Sequence, residues 1–331
     1  MHIVHNTNFD FLRWRWQAIA VSWVIIIAGV LSIWKNGIPQ GVEFAGGTVV
    51  IEKFEQAVTV QQVRAALDKT LPGAQIQLYG DPSQNQVQIR VPSTGGESGT
   101  DLSKTAKQVG AALKNAGLPK VSDPPVSTEI VGPTVGQELT NKGLLATFIS
   151  LFFILLYLAF RFQFSFGVGA IVATIHDLLI TLAFLAFFRY DMTLNVIAAI
   201  LTMAGYSTND TIVIFDRIRE NLRSMRRDSM YNVINISVNQ TLNRTIITGG
   251  TALLTSLALF FFGGEVLHGF AFTMIVGIIT GTYSSVFIAA AIVSFWRGKG
   301  PARAAASAPV PPAPAQQQPQ RKQKSRNARA S

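Results

Sequence analysis

Two carboxylates sit where a carboxylate is expensive. Asp210 lies inside the stretch AGYSTNDTIVIFDRIREN, residues 204 to 221, beside Asn209 and well before the charges that mark an exit to water. Asp177 follows His176 about halfway along GVGAIVATIHDLLITLAFLAFF, another apolar run. Ionisable groups at such depth are rare, and they face the interior of a helix bundle or a water-filled path. The chemistry open to them is protonation. Desolvation favours the neutral acid and a nearby guanidinium favours the charged one, so an arginine that moves toward or away from a buried carboxyl changes its proton affinity. Arg244, in NQTLNRTIITGGTALLTSLALFF, is the candidate counter-charge for Asp210.

Helical spacing gathers companions around these groups. Thr174, Asp177 and Thr181 share one stripe; Met203, Ser207, Asp210 and Ile214 form a row with Thr202, Tyr206 and Asn209 beside it. Arg244, Thr248, Thr251 and Thr255 follow at spacings of four, three and four, which puts a charge and three hydroxyls on one face. Gly269, Thr273, Gly277 and Gly281 recur every fourth residue, a small-residue seam along which helices approach closely. The polar faces are expected to turn inward and the seam to close the bundle. Two roles stay open for the charges. Asp210 and Arg244 could form a static pair that ties two helices together, and His176 with Asp177 could anchor a neighbouring loop or span. Interhelical polar contacts contribute only about 0.6 to 2 kcal/mol in membranes, however, so glue alone gains little from a carboxylate over a threonine.

The elements that position these residues are read from the apolar runs. The 331-residue chain is 49% hydrophobic and 14% charged, with a mean hydropathy of +0.32, and its apolar residues fall in blocks long enough to cross a hydrocarbon core of roughly 30 Å. This is the pattern of a polytopic α-helical membrane protein. Six spans are expected, near residues 17–35, 143–160, 166–188, 194–214, 245–262 and 270–296. The first is a retained anchor, because WKNGIPQGVEF after it offers no small-residue cleavage pattern. An even span number places both termini on one side. Arg13 and Arg15, then Arg217, Arg219, Arg223, Arg226 and Arg227, identify that side as cytoplasmic, with residues 1–16 as an N-terminal segment and a basic connector near 215–240. The net charge of +10 is explained by this distribution better than by nucleic-acid binding.

Residues 36–139 lie outside the membrane and hold eight basic and ten acidic residues, a soluble balance. GVEFAGGTVVIEKF reads as a strand, TVQQVRAALDKTL as a helix capped by Thr59, and AQIQLYGDPSQNQVQIRVP as two strands about a Gly-Asp-Pro turn. DLSKTAKQVGAALKNAG reads as a helix opened by Asp101 and closed by Gly117, and PVSTEIVG as a last strand. The order βαββαβ implies a ferredoxin-like α+β domain inserted between spans one and two. Residues 140–297 would form the remaining five-helix bundle. Residues 298–331, rich in Pro, Gln and basic side chains, read as a disordered cytoplasmic tail that could touch anionic lipid or ribosomal RNA. Cysteine is absent, which excludes disulfides and thiolate metal sites. GVEFAGGT lacks the Lys-Ser/Thr of a phosphate loop, so neither an ATP site nor another cofactor is expected; the proton is the coupling ion.

The stretches GVEFAGGT at 41–48, VGPTVGQEL at 131–139, the His176-Asp177 pair, GYSTNDTIVIFDRIREN at 205–221, NQTLNRTIITGGTALL at 239–254 and FGGEVLHGFAFTMIVGIITGTYSS at 262–285 together resemble one family. That family is SecF, the smaller half of the SecDF accessory of the bacterial Sec export machinery, a branch of the resistance-nodulation-division superfamily. The resemblance implies a multi-pass inner-membrane subunit with a periplasmic domain. It implies pairing with a pseudo-symmetric SecD half, association with the SecYEG translocon and with YajC and YidC, and unfolded preprotein as substrate, driven by the proton motive force. It also implies that Asp210 and Arg244 are the functional membrane pair. A half-size exporter of small amphiphiles or lipids and a non-transporting scaffold are the alternative readings.

Overall fold

Apolar runs of this length leave the backbone no water to bond to, so they close their hydrogen bonds internally as helices. The computed structural model describes residues 7–80, 82–93, 99–119 and 122–298; the tail from Lys299, the first six residues and Asp81 of the expected turn lie outside the described residues. Within them, six helical segments are long and apolar enough to span a membrane. They are α1 (Arg15–Asn36), α5 (Pro133–Arg161), α6 (Phe164–Phe187), α7 (Leu194–Ser224), α8 (Met230–Phe262) and a sixth built from α9 (Glu265–Ser284), a π-turn (Ser285–Ala289) and α10 (Ala290–Gly298).

Local chemistry sets the helix ends. Pro133 takes the first position of α5, where its missing N–H costs nothing. Thr193 accepts from the Val196 N–H to cap α7, and Ser229 accepts from Asn232 to cap α8. α7 starts where its span was expected and runs ten residues past the expected end, while α8, capped at Ser229, starts fifteen residues before its expected span. Much of the stretch read as a connector, 215–240, is helical, and only Met225–Ser229 interrupts it.

Half or more of the most apolar window of α6, α7 and the sixth segment is buried, against 17% for α1 and α8 and 6% for α5. Three helices therefore make the centre and three flank it. α5 turns Phe148, Phe152, Phe153 and Phe160 outward, as a lipid-facing helix does. α1 packs on α6 where Gly29 lies against Ala183, an approach with no room for a Cβ. At the end of the bundle that carries the basic residues, Phe162, Phe166 and Phe215 pack edge to face under Leu12.

Between α1 and α5 lie a helical turn α2 (Val42–Ala45), β1 (Gly47–Lys53), α3 (Val60–Leu67), β2 (Gln75–Tyr79), β3 (Gln86–Pro92), α4 (Gly99–Asn115) and β4 (Ser127–Val131). The strands form one sheet in the order β2-β3-β1-β4, every neighbouring pair antiparallel. With its two helices this is the split βαβ arrangement expected from the pattern. Its core is Val50, Phe54, Val63, Leu67, Val87, Ile89, Val109 and Leu113. α3 opens with a capping box in which Thr59 and Gln62 satisfy each other's backbone N–H groups. Two details differ from the expectation. GVEFA is a helical turn rather than the start of a strand: Gly46, at φ +69°, closes the turn by donating to the Val42 carbonyl, and β1 begins only at Gly47. The second helix starts at Gly99, with Asp101 inside its first turn rather than at its cap.

This small domain is fastened to the bundle at the loop joining α6 to α7, and its turn α2 also lies against α5, where Gly136 passes close to the Phe44 carbonyl and the Gly46 backbone. The Gly41 N–H donates to the Met192 carbonyl at 2.7 Å and the Met192 N–H to the Pro39 carbonyl at 2.8 Å. Arg90 of β3 donates to the Gln40 carbonyl at 2.6 Å and forms a largely buried ion pair with Asp191. Gly41 is required here, since a Cβ would stand 2.8 Å from the Met192 oxygen.

Candidate functional site

Asp177 on α6 and Asp210 on α7 both point into the packed centre, 0% and 6% exposed. A carboxylate taken from water must recover its lost hydrogen bonds. Both do so almost wholly from hydroxyls. Asp177 Oδ2 accepts from Ser284 at 2.8 Å and from Ser207, while Oδ1 lies 2.9 Å from His176 Nδ1. Asp210 Oδ1 accepts from Thr245 of α8 at 2.8 Å, and Oδ2 accepts from Ser285 at 3.1 Å. The stripe around Asp177 contributes less than its spacing promised: Thr174 and Thr181 donate to the Ala170 and Asp177 carbonyls of their own helix.

The seam is where these helices come close. Built on Gly277, a Cβ would lie 2.7 Å from Met203; on Gly281 it would lie 2.7 Å from the Ser207 Cβ, and on Gly269 it would lie 3.1 Å from Val196. Without glycine at 277 and 281, α9 could not bring Ser284 and Ser285 up to the two acids.

The face of α8 that carries Arg244 points the other way. Arg244, Thr248, Thr251 and Thr255 are exposed, as are Thr202 and Asn209 on α7. Arg244 makes no nitrogen–oxygen contact within 4.0 Å of Asp210, although it is near enough for its charge to act there. The expectation that this face turns inward is thus corrected. Thr245, Gly249 and Ser256 form the buried side of α8, and the charged side is uncovered. The reason is geometric: a stripe of polar residues fixes which side chains share a face but not whether that face meets the rest of the same chain. Thr248 donates to the Arg244 carbonyl at 2.9 Å and Thr251 to the Ile247 carbonyl at 2.9 Å, so the hydroxyls of the uncovered face are tied to their own helix.

Sequence reasoning passed over Ser284, Ser285 and Thr245. Thr245 is one residue round from the stripe that drew notice, and the two serines follow the glycine seam in ITGTYSS, three and four residues beyond Gly281. Three further buried polar atoms flank the acids with no partner: His176 Nε2, Thr208 Oγ1 and Thr211 Oγ1. Unpaired polar atoms are scarce in packed interiors. All three lie within two residues of Asp177 or Asp210, so the polar content of the bundle centre is concentrated around the two acids. Among the described residues, no group of three His, Cys, Asp or Glu converges to hold a metal ion.

Residues 109–299 match the family model described as protein export membrane protein SecD/SecF, C-terminal. The protein translocase subunit SecF of Escherichia coli O157:H7 is 37% identical over 288 residues, covering 86% of each chain. The SecF of Pseudomonas aeruginosa is 41% identical over 287 residues, covering 86% of this chain and 90% of that one. Among solved structures, SecDF from Thermus thermophilus, described as a translocon-associated membrane protein, matches with a TM-score of 0.77 at 33% identity. That match covers 89% of this chain and 39% of the SecDF chain, so the protein spans well under half of its length.

Proposed function

The chain belongs to the SecD/SecF family of protein export membrane proteins, in its SecF branch, and we propose that it couples proton movement through Asp210 to the export of preproteins. One observation carries this reading. Two acids are buried in an apolar bundle and held by neutral hydroxyls, and among the described residues no arginine or lysine is in contact to lock either in its charged form. Hydroxyls both donate and accept, so they serve a carboxylate and a carboxylic acid alike. A site built this way tolerates both protonation states.

The uncovered polar face supports a second half. Arg244, Thr248 and Asn209 would be costly against lipid, and a SecD-type partner laid over them would enclose Arg244 beside Asp210. In that enclosed arrangement a proton entering from outside neutralises Asp210 and cancels its attraction for Arg244, the helices repack, and the outer domains move against the emerging chain before the proton leaves inward. One charge crossing supplies about 2.3 kcal/mol per 100 mV and about 1.4 kcal/mol per pH unit, enough to bias a two-state bundle by a few kcal/mol. The SecYEG translocon would be the partner assembly and the bacterial inner membrane the location.

The orientation follows from charge. Phe11 N–H donates to Asn235 and Tyr231 bonds Asp10, which brings the N-terminal arginines to the same bundle end as Arg217, Arg219 and Arg223. By the positive-inside rule that end is cytoplasmic, and the sheet domain at the other end is periplasmic. Asp210→Asn and Arg244→Met are expected to insert and assemble yet lose export that depends on the proton gradient. The assay is translocation of a preprotein into inverted membrane vesicles with and without an uncoupler. Gradient-dependent export at wild-type level by either variant overturns the reading, and full export by a chain lacking both Asp177 and Asp210 would make it a scaffold.

A further inference from the structure

The two acids are on different helices, yet consecutive residues hold them. Ser284 closes α9 and donates to Asp177; Ser285 opens the π-turn and donates to Asp210. Neighbouring side chains on a helix diverge by about 100°, so such a pair can address α6 and α7 at once. In the turn that follows, the Ala290 N–H reaches back to the Ser285 carbonyl, the five-residue step of a π-turn. π-turns are rare and concentrate at functional sites.

Each hydroxyl also has a second acceptor in reach. Ser284 Oγ lies 3.2 Å from the Gly281 carbonyl and Ser285 Oγ lies 2.9 Å from the Thr282 carbonyl. A hydroxyl has one proton to donate. When the acid is charged, the O–H belongs to the carboxylate, the stronger acceptor. When the acid is neutral it becomes a donor itself; the serine oxygen accepts from it, and the serine O–H rotates to the carbonyl one turn back. No covalent bond changes in this step beyond the one that first put the proton on the carboxyl.

We propose that Ser284 and Ser285 are positioning residues that couple Asp177 to Asp210, so that a proton taken up at one carboxyl alters proton affinity at the other through their shared turn. The inference rests on the proton-coupled reading above. Ser207 strengthens the link, because it donates to Asp177 from α7, three residues before Asp210, while Gly281 of α9 abuts it. The titratable groups around the pair are His176 on α6, Tyr206 on α7, Arg244 on α8 and Tyr283 on α9, whose ring stacks on His176. The face of α1 toward this region brings Ser22, which bonds Tyr283, and no charge among the described residues.

The test is infrared titration of the full-length chain in lipid vesicles, with the Asp210 carboxyl band assigned by its loss in Asp210→Asn. Asp177→Asn is expected to move the Asp210 midpoint by about one pH unit, the scale of strongly interacting sites. With Ser284→Ala and Ser285→Ala present, singly or together, that displacement should fall to less than half, and Ser284→Thr with Ser285→Thr, which keep the hydroxyls, should restore it. An unchanged displacement in the alanine backgrounds, or threonine variants that behave as alanine ones, overturns the coupling while leaving Asp210 a titrating group. An Asp210 band that never titrates overturns both this inference and the proton-coupled reading.

Discussion

Replacing Gly281 by alanine tests the close approach on which the site depends. The added Cβ would stand 2.7 Å from the Ser207 Cβ, 3.0 Å from its Oγ and 3.2 Å from its Cα. Carbon atoms prefer about 3.5–4.0 Å, so α7 and α9 must part by about 1 Å or Ser207 must leave its place. Overpacking of this kind costs about 1–3 kcal/mol. Displacing Ser207 also removes a hydrogen bond to Asp177, about 1.5–3 kcal/mol where the acceptor is charged. Alanine's better helix propensity returns up to about 1 kcal/mol, which leaves a net loss of about 3 kcal/mol. Gly205→Ala is the internal control, since nothing lies within 4 Å of its Cβ position. It should be neutral or slightly stabilising. Reversible unfolding of the full-length chain in mixed detergent micelles measures both variants. If Gly281→Ala unfolds within about 0.5 kcal/mol of Gly205→Ala, the surface-like tolerance would show that α7 and α9 do not meet as described.

In the sheet domain, burial pushes the Glu52 carboxyl up to about 7 from an ordinary value near 4.5, and Ser122, 3.3 Å away, opposes this only in part. A raised carboxylate binds its proton more tightly folded than unfolded, so stability is fullest below pH 4.5 and falls as pH rises to about 7, by on the order of 3 kcal/mol. Hydrogen exchange at β1 and α4, corrected for intrinsic rates, should show protection decreasing across that window in the wild type and flat in Glu52→Gln. Asp191→Ala leaves the Arg90 guanidinium buried without its partner and should cost about 3–5 kcal/mol locally; faster protease cleavage in the linker 37–41 would report it, and unchanged cleavage would count against the joint. Thr59→Ala removes one half of the capping box and should cost about 1 kcal/mol, read as faster exchange in α3 alone.

Where a residue's role depends on its immediate neighbours in sequence, it was legible. The six spans, the sheet helices, the Thr59 cap and the burial of Asp177 and Asp210 all follow from runs and spacings. What was not legible depends on contacts between segments far apart. Nothing in NQTLNRTIITGG says that Thr245 rather than Arg244 meets Asp210, because both are polar and a rotation of one residue exchanges them. The hydroxyls of Ser284 and Ser285 read as ordinary helix residues until α6 and α7 are placed against them. The alternation of GVEFA fits a strand equally well, and what separates it from β1 is the positive φ of Gly46, which closes a helical turn.

The joint at Met192 has a mechanical consequence. The loop that holds Gly41 and Arg90 connects α6 to α7, the two helices that carry the acids. Asp177 lies twelve residues before Arg189, about 18 Å along the axis at 1.5 Å per residue. A tilt of about 5° pivoting at the carboxyl would therefore swing the loop by roughly 1.5 Å on that 18 Å arm. Backbone bonds and a buried ion pair, rather than a slack tether, would pass that swing to the sheet, which ties the placement of the domain to the tilt of the two helices.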